Sequence, residues 1–411
     1  MRLRVVVCAM LMSVIAGCGG GGRPGAPTAS PTPTALVSAT RVAQPVGTAT
    51  GVPSISGGSE TSPAQPAIVA PVGTGGRVAF GSGAYFLLGA NYPWINYGND
   101  IGSNAFGSYG FHTGGAYAAD FSAMAREGVH VARLFAFADG RALRFDTDGT
   151  PAGVSPDTFA DLDATVALAR ANNVYLDIVL LDFSFFFPAT FSGGVQMGGH
   201  TDVFADAAKR DALLSNVIAP VINRYANEPY VLSWELMNEP EWAISDLPQA
   251  AVNKKARPVT MEQFWAYGGA VAAIAHAAGS RVTVGSASLK WNKVWTPEFA
   301  AAKGLPDLGL DYYQTHYYPW MDGLRTNDSV LGNTTWSPKT QSATALGLDK
   351  PIVVGEAPDA PGMSDTVWDN GYAGYWPWSY RSDKTSDHFS IDPSFAAWEA
   401  AHADAVRIPA P

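Results

Sequence analysis

The segment Trp234-Glu235-Leu236-Met237-Asn238-Glu239-Pro240-Glu241-Trp242 sets three carboxylic acids within seven residues, between two tryptophans. A second Asn-Glu-Pro triplet, Asn227-Glu228-Pro229, precedes it. Another acid ends an apolar run in Ile352-Val353-Val354-Gly355-Glu356-Ala357-Pro358. Two carboxyl groups that converge on one pocket can split a glycosidic bond. One must carry a proton for the leaving oxygen, while the other must be ionised to attack or to activate water. Which acids qualify depends on the elements that carry them.

Beyond residue 76, short β-rich runs alternate with amphipathic or alanine-rich segments. Strands are expected at Ala84–Asn91, Val129–Ala136, Val174–Asp182, Tyr230–Met237, Arg281–Ser288, Leu310–Tyr318, Pro351–Ala357 and Tyr372–Tyr380. Helices are expected between them, including one long helix around Asp202–Tyr225. Thr260 with Gln263 forms a capping box for another, and Gly279 suits its C-terminal end. A last helix fits Pro393–Ala405. Alternating β and α segments give a parallel sheet, either an open doubly wound one or a closed (β/α)8 TIM barrel. Eight units favour the barrel, although the Pro358–Gly371 link between the last two strands leaves little length for a crossover.

The barrel separates the acids. Catalytic groups lie at the C-terminal ends of barrel strands, and the opposite face contributes stability. Asn227-Glu228-Pro229 precedes the fourth strand and falls at the bottom; Asn238-Glu239-Pro240 follows it and falls at the mouth. Glu356 ends the seventh strand, where Pro358 stops the ladder. Glu235 shares parity with Glu239 one layer deeper and needs a buried partner. Glu241 lies beyond the proline, where ligand or solvent is its expected neighbour.

Composition narrows the partners. Lys and Arg total 26 against 36 Asp and Glu, and the net charge of −10 excludes a nucleic-acid partner bound through its phosphates. Hydrophobic residues make up 47% and charged residues 15%, with 12 Trp, 16 Tyr and 19 Phe, a supply of aromatic faces suited to a neutral ligand. Both cysteines, Cys8 and Cys18, lie near the N-terminus, so the folded part has no disulfide, thiolate or cysteine-held metal. No cofactor and no metal is expected. Arg2 and Arg4 before the apolar run Val5–Ile15 read as a secretory signal peptide. Residues 18–76 are Gly-, Pro-, Ser- and Thr-rich and read as a disordered tether. The expected organisation is therefore 1–17 signal peptide, 18–76 tether and 77–411 catalytic barrel.

These residues resemble known patterns. Ile15-Ala16-Gly17-Cys18 is similar to a bacterial lipobox. That implies cleavage before Cys18, a diacylglycerol on its sulfur, membrane attachment through that anchor, and a location at the bacterial cell surface or the periplasmic side. "WELMNEP" and "VVGEAP", with "VARLFAF" upstream and "THYY" between, resemble clan A glycoside hydrolases, especially the cellulase–mannanase family 5. The resemblance spans most of Tyr85–Tyr380. It implies a retaining double displacement on a β-linked neutral polysaccharide or oligosaccharide, β-mannan or β-glucan. Glu239 matches the general acid/base and Glu356 the nucleophile. Asn238 matches the residue that holds the sugar 2-hydroxyl, and Arg133 the arginine that keeps the nucleophile ionised. His316 and Tyr318 match the His-x-Tyr of the sixth strand, with Tyr318 bonded to the nucleophile. Trp378 matches the tryptophan beneath the cleaved sugar, with Trp376 as its rival. Trp94, Trp242, Trp291 and Trp320 are candidate sugar platforms. Where many relatives carry a His after the third strand, this chain has Asp182-Phe183-Ser184-Phe185, and Phe185–Phe187 suggests a lid. The alternative is a non-catalytic carbohydrate-binding lipoprotein on the same barrel.

Overall fold

Runs such as Val131–Phe135 and Tyr175–Val179 have no exposed position. A strand buried on both faces belongs in a parallel sheet covered on both sides. The computed structural model describes residues 75–381 and 393–411. The signal peptide, nearly all of the tether and Cys18 lie outside the described residues.

Eight strands form the barrel: β1 Leu87–Asn91, β2 Val131–Phe135, β3 Tyr175–Val179, β4 Val231–Asn238, β5 Val282–Ser286, β6 Tyr313–His316, β7 Ile352–Pro358 and β8 Gly374–Trp378. Each pairs in parallel with the next, and β8 closes on β1 through Gly374–Leu87 and Tyr375–Leu88. The expected first strand divides. Gly83–Tyr85 turns back against Val78–Phe80 as an antiparallel hairpin, and only Leu87–Asn91 enters the barrel.

The crossover helices include α1 Ala116–Arg126, α2 Thr158–Asn172, α3 Met261–Ala277 and α4 Met363–Asp369. The capping box of α3 is present in full: Thr260 Oγ1 accepts from Gln263 N, and Gln263 Oε1 accepts from Thr260 N. Gly279 follows at φ 72°, a left-handed residue just past the end. Removing the hydroxyl in Thr260→Ala is expected to destabilise the fold by about 1 kcal/mol, read as a lower denaturation midpoint with an unchanged slope. The seven residues of α4 suffice for the short link between β7 and β8.

The expected long helix after β3 is broken instead into Thr201–Ala205, Ala207–Leu213, a π turn over Leu214–Ile218 and Ala219–Arg224. Asp206 interrupts the first turn by capping Ala208 N and Lys209 N with its own side chain. Pro220 lacks the N–H that a regular turn needs, and the π turn precedes it. Hairpins follow three strand ends: Leu143–Phe145 with Pro151–Val154 after β2, Thr190–Ser192 with Val195–Met197 after β3, and Arg325–Asp328 with Gly332–Thr335 after β6. They rise on the same side as Glu239. Phe185 and Phe186 are fully buried in the main core, so these two rings pack onto the barrel, while Phe187 is half-buried.

Candidate active site

Arg133, in the middle of β2, has no solvent exposure. A guanidinium has five N–H donors and must place them all when buried. Nε and Nη2 grip Glu235 at 2.8 and 2.7 Å. Nη2 also reaches Asn238 Oδ1 at 2.7 Å, and Nη1 reaches Asn91 Oδ1 at 2.8 Å and Glu356 Oε2 at 3.2 Å. Gly285 makes room for this arrangement, because a Cβ there would sit 2.9 Å from Arg133 Nη2. Glu235 thus has the buried partner that its inward parity demanded. The Gln314 amide donates to both Glu235 and Asp177, at 3.0 and 3.1 Å. Burial pushes the Asp177 carboxyl well above its ordinary range, with Glu235 adding to the effect.

Replacing Arg133 by Ala would leave Glu235 and Glu356 without their common cation. A loss of roughly 3–5 kcal/mol of stability is expected for breaking such a buried pair, measured by denaturant unfolding. Lys at this position is expected to rescue little, since an ammonium cannot span the same acceptors.

Above this hub stand the two strand-end acids. Glu239 turns out of β4 in the left-handed region at φ 45°, and its N–H bonds Gly285 O at 2.7 Å. Its Oε1 meets His316 Nδ1 at 2.8 Å, and its Oε2 accepts Trp242 Nε1–H at 2.7 Å. Glu356 Oε1 accepts the Tyr318 hydroxyl at 2.5 Å, and its Oε2 lies 3.5 Å from His316 Nδ1. One oxygen of Glu239, one of Glu356 and one ring nitrogen of His316 all fall within 4.8 Å of one another. A divalent ion could use three such donors, yet the Arg133 guanidinium already supplies the positive charge beside Glu356.

The two acids hold protons unequally. Burial pushes Glu239 up to about 8. Burial also raises Glu356 and the neighbouring Glu239 adds to the rise, while Arg133 and the Tyr318 hydrogen bond oppose it. His316 is pressed down to about 4 by its own burial, so the ring is neutral near pH 7. Two neighbouring carboxyls, one holding its proton up to about pH 8 and the other paired with a guanidinium and a phenol hydroxyl, can protonate a leaving group and attack a carbon in the same step.

An aromatic wall borders the acids. Trp94, Phe135, Ala138 and Val179 form an apolar cluster apart from the main core, with Tyr97 and Trp378 packed on it. Trp378 ends β8 half-buried, 5.7 Å ring to ring from Trp94. Trp376 is completely buried, its Nε1–H held by Leu87 O at 2.9 Å, so it belongs to the barrel interior and not to the mouth. Trp94 is largely covered by its aromatic neighbours. Trp242 is occupied in tethering Glu239.

Two expectations are corrected. Trp291 offers no platform: it is buried, with its Nε1–H on Pro248 O and the Lys290 ammonium 4.2 Å above its ring. Glu241 reaches neither ligand nor solvent. It is fully buried, accepts Ser286 Oγ–H, Ala287 N–H and Trp295 Nε1–H, and burial pushes it up to about 7. Trp320, half-exposed on the loop after β6, remains open to a ligand. Sequence reasoning missed Asn91, Asp177 and Gln314. The available signal was a polar residue at a buried strand position, which a hydrophobic pattern discards.

A closed eightfold barrel with paired strand-end carboxylates and an aromatic wall at the mouth defines a glycosidase, an enzyme that hydrolyses O-glycosyl bonds. Residues 96–391 match the Cellulase family, glycosyl hydrolase family 5, and the chain belongs to it. It is 26% identical over 336 residues to a "Mannan endo-1,4-beta-mannosidase" of Mytilus edulis, covering 72% of this chain and 84% of that protein. A second protein of that name, from Cryptopygus antarcticus, is 23% identical and aligns with 75% of this chain and 84% of its own length. The fold is shared with the β-mannanase structure from the blue mussel (TM-score 0.66, 20% identity), which matches 82% of this chain and 99% of its own. Membership of this family gives no support to the non-catalytic alternative.

Proposed function

We propose that this chain hydrolyses internal β-1,4 linkages of mannan with net retention of anomeric configuration. The observation that carries the reading is the close approach of the Glu239 and Glu356 oxygens, within 4.8 Å. Retaining glycosidases hold their carboxyl groups about 5–5.5 Å apart, whereas inverting ones leave room for a water at roughly 6.5–9.5 Å.

Glu239 gives its proton to the glycosidic oxygen while Glu356 Oε bonds to the anomeric carbon and the carbon–oxygen bond to the leaving sugar breaks. The Glu239 carboxylate left behind then takes a proton from water. The hydroxide oxygen bonds to the anomeric carbon and Glu356 departs as a carboxylate. Tyr318 and Arg133 favour the ionised form of Glu356 between turnovers, against the upward push of its burial. Mannan as substrate is supported by the names of the relatives that align with most of the chain. Export and anchoring through Cys18 belong to the same proposal, and they rest on the N-terminal pattern.

The test is product analysis on mannan, β-glucan and aryl glycosides, following the first-formed anomer by NMR. Mixed short β-mannan oligosaccharides with β-configured new ends are expected. Initial α-anomers, or cleavage of β-glucan in preference to mannan, would overturn the reading.

A further inference from the structure

Asp182 stands where β3 leaves the barrel, and it is 8% exposed. Nothing in the two-acid mechanism uses it. Its backbone bridges to Asn238 in parallel register, and Asn238 N–H bonds Leu181 O at 2.9 Å. The side chains meet as well: Asn238 Nδ2 donates to Asp182 Oδ2 at 2.7 Å. The other oxygen, Oδ1, accepts Ser184 N–H at 2.9 Å, which fixes the carboxylate in place.

An asparagine amide has two orientations related by exchange of its oxygen and nitrogen. Here both neighbours select the same one. Arg133 Nη2 is a pure donor and sits 2.7 Å from Asn238 Oδ1. Asp182 Oδ2 accepts from Nδ2; burial raises the Asp182 pKa, while its bonds to Ser184 and Asn238 favour the acceptor form. Exchanging the two atoms would set donor against donor and oxygen against oxygen, in a buried pocket where neither mismatch is relieved by water. The second Nδ2–H has no protein acceptor among the described residues, and Asn238 keeps 7% of its surface open.

We infer that Asp182 is a positioning residue: it sets the Asn238 amide so that an N–H, and not the carbonyl oxygen, faces the 2-hydroxyl of the sugar in the cleft. The inference rests on the proposed retaining mannanase reading, in which Asn238 holds that hydroxyl. The site then requires a hydrogen-bond acceptor at C2 of the substrate. Asp182 also adds negative charge near Glu239 and strengthens its hold on its proton.

Asp182→Asn is the informative variant. It keeps the shape, but one amide cannot accept from both Ser184 N–H and Asn238 Nδ2–H. The measurement compares kcat/KM for an aryl β-mannobioside with that for its analogue lacking the 2-hydroxyl on the sugar next to the aryl group. The intrinsic reactivity difference between the two substrates cancels when the wild-type and variant ratios are divided. The preference for the 2-hydroxyl substrate is expected to fall roughly 10- to 100-fold in the variant, as when other outer supports of a site residue are removed. An unchanged preference, whatever the absolute activity, would show that Asp182 only supports the loop and would overturn the inference. Wild-type inactivity on both substrates would instead overturn the proposed mannanase reading. If the variant does not fold, neutron diffraction from wild-type crystals decides the same point: deuterons on the Asn238 atom facing Asp182 support the inference, and deuterons on the atom facing Arg133 overturn it.

Discussion

Glu356→Ala is expected to lower kcat on mannan by roughly 10⁵-fold or more, the scale seen when a covalent nucleophile is deleted. The fold should survive. Arg133 keeps Glu235, Asn91 and Asn238 as acceptors, so its charge stays paired after Glu356 is removed. A loss of only tenfold, in a variant with the wild-type melting curve, would assign the attack to another group. The variant should still retain mannan oligosaccharides with near wild-type affinity, measured by calorimetry. Binding and turnover are thereby separated, which is what distinguishes an enzyme from a binding barrel.

Glu239→Gln carries the second large effect, and it depends on the leaving group. On mannan, where the departing sugar oxygen is a poor leaving group without a proton, a loss of roughly 10²–10⁴-fold is expected. The first step on an aryl glycoside with an acidic phenol should be spared, because such a phenol leaves unaided. The glycosyl-enzyme should then accumulate, visible as a burst of phenol followed by slow turnover. Equal losses on both substrates would remove Glu239 from the acid role.

The same residue sets the pH profile. Glu239 acts as an acid in the first step, and burial holds its proton up to about pH 8. Below that pH it is protonated and competent; above it the proton is lost and kcat/KM should decline. Glu356 must be ionised, so its titration shapes the acidic limb. The two carboxyls influence each other, and the observed limbs belong to the pair. In the wild type the descending limb near pH 8 should therefore appear with mannan and be absent from kcat/KM for the aryl substrate, whose phenol needs no proton.

Much of this site was legible because position along a strand carries meaning. The two Asn-Glu-Pro triplets are identical in composition, yet one precedes β4 and the other ends it, so barrel geometry alone tells them apart. Strand ends likewise exposed Glu356. Other features lie beyond local pattern. Trp376 and Trp378 share parity, so alternation cannot choose between them; the choice comes from depth, since Trp376 hydrogen-bonds Leu87 O across the seam of the barrel. Glu241 looked like a loop acid because its three donors come from segments 45 or more residues away. The broken helix after β3 kept an unbroken apolar pattern, and the interruption lies in a capping aspartate and one proline.

Arg133 draws its acceptors from β1, β4 and β7 while sitting on β2 itself. The first half of the barrel holds the guanidinium, Asn91, Glu235, Asn238 and Glu239; the second half holds His316, Tyr318, Glu356 and Trp378. Neither half alone contains a working pair of carboxyls. A polypeptide severed between β4 and β5 would have to reassemble completely before the first bond is cut, so catalytic competence in this molecule reports ring closure.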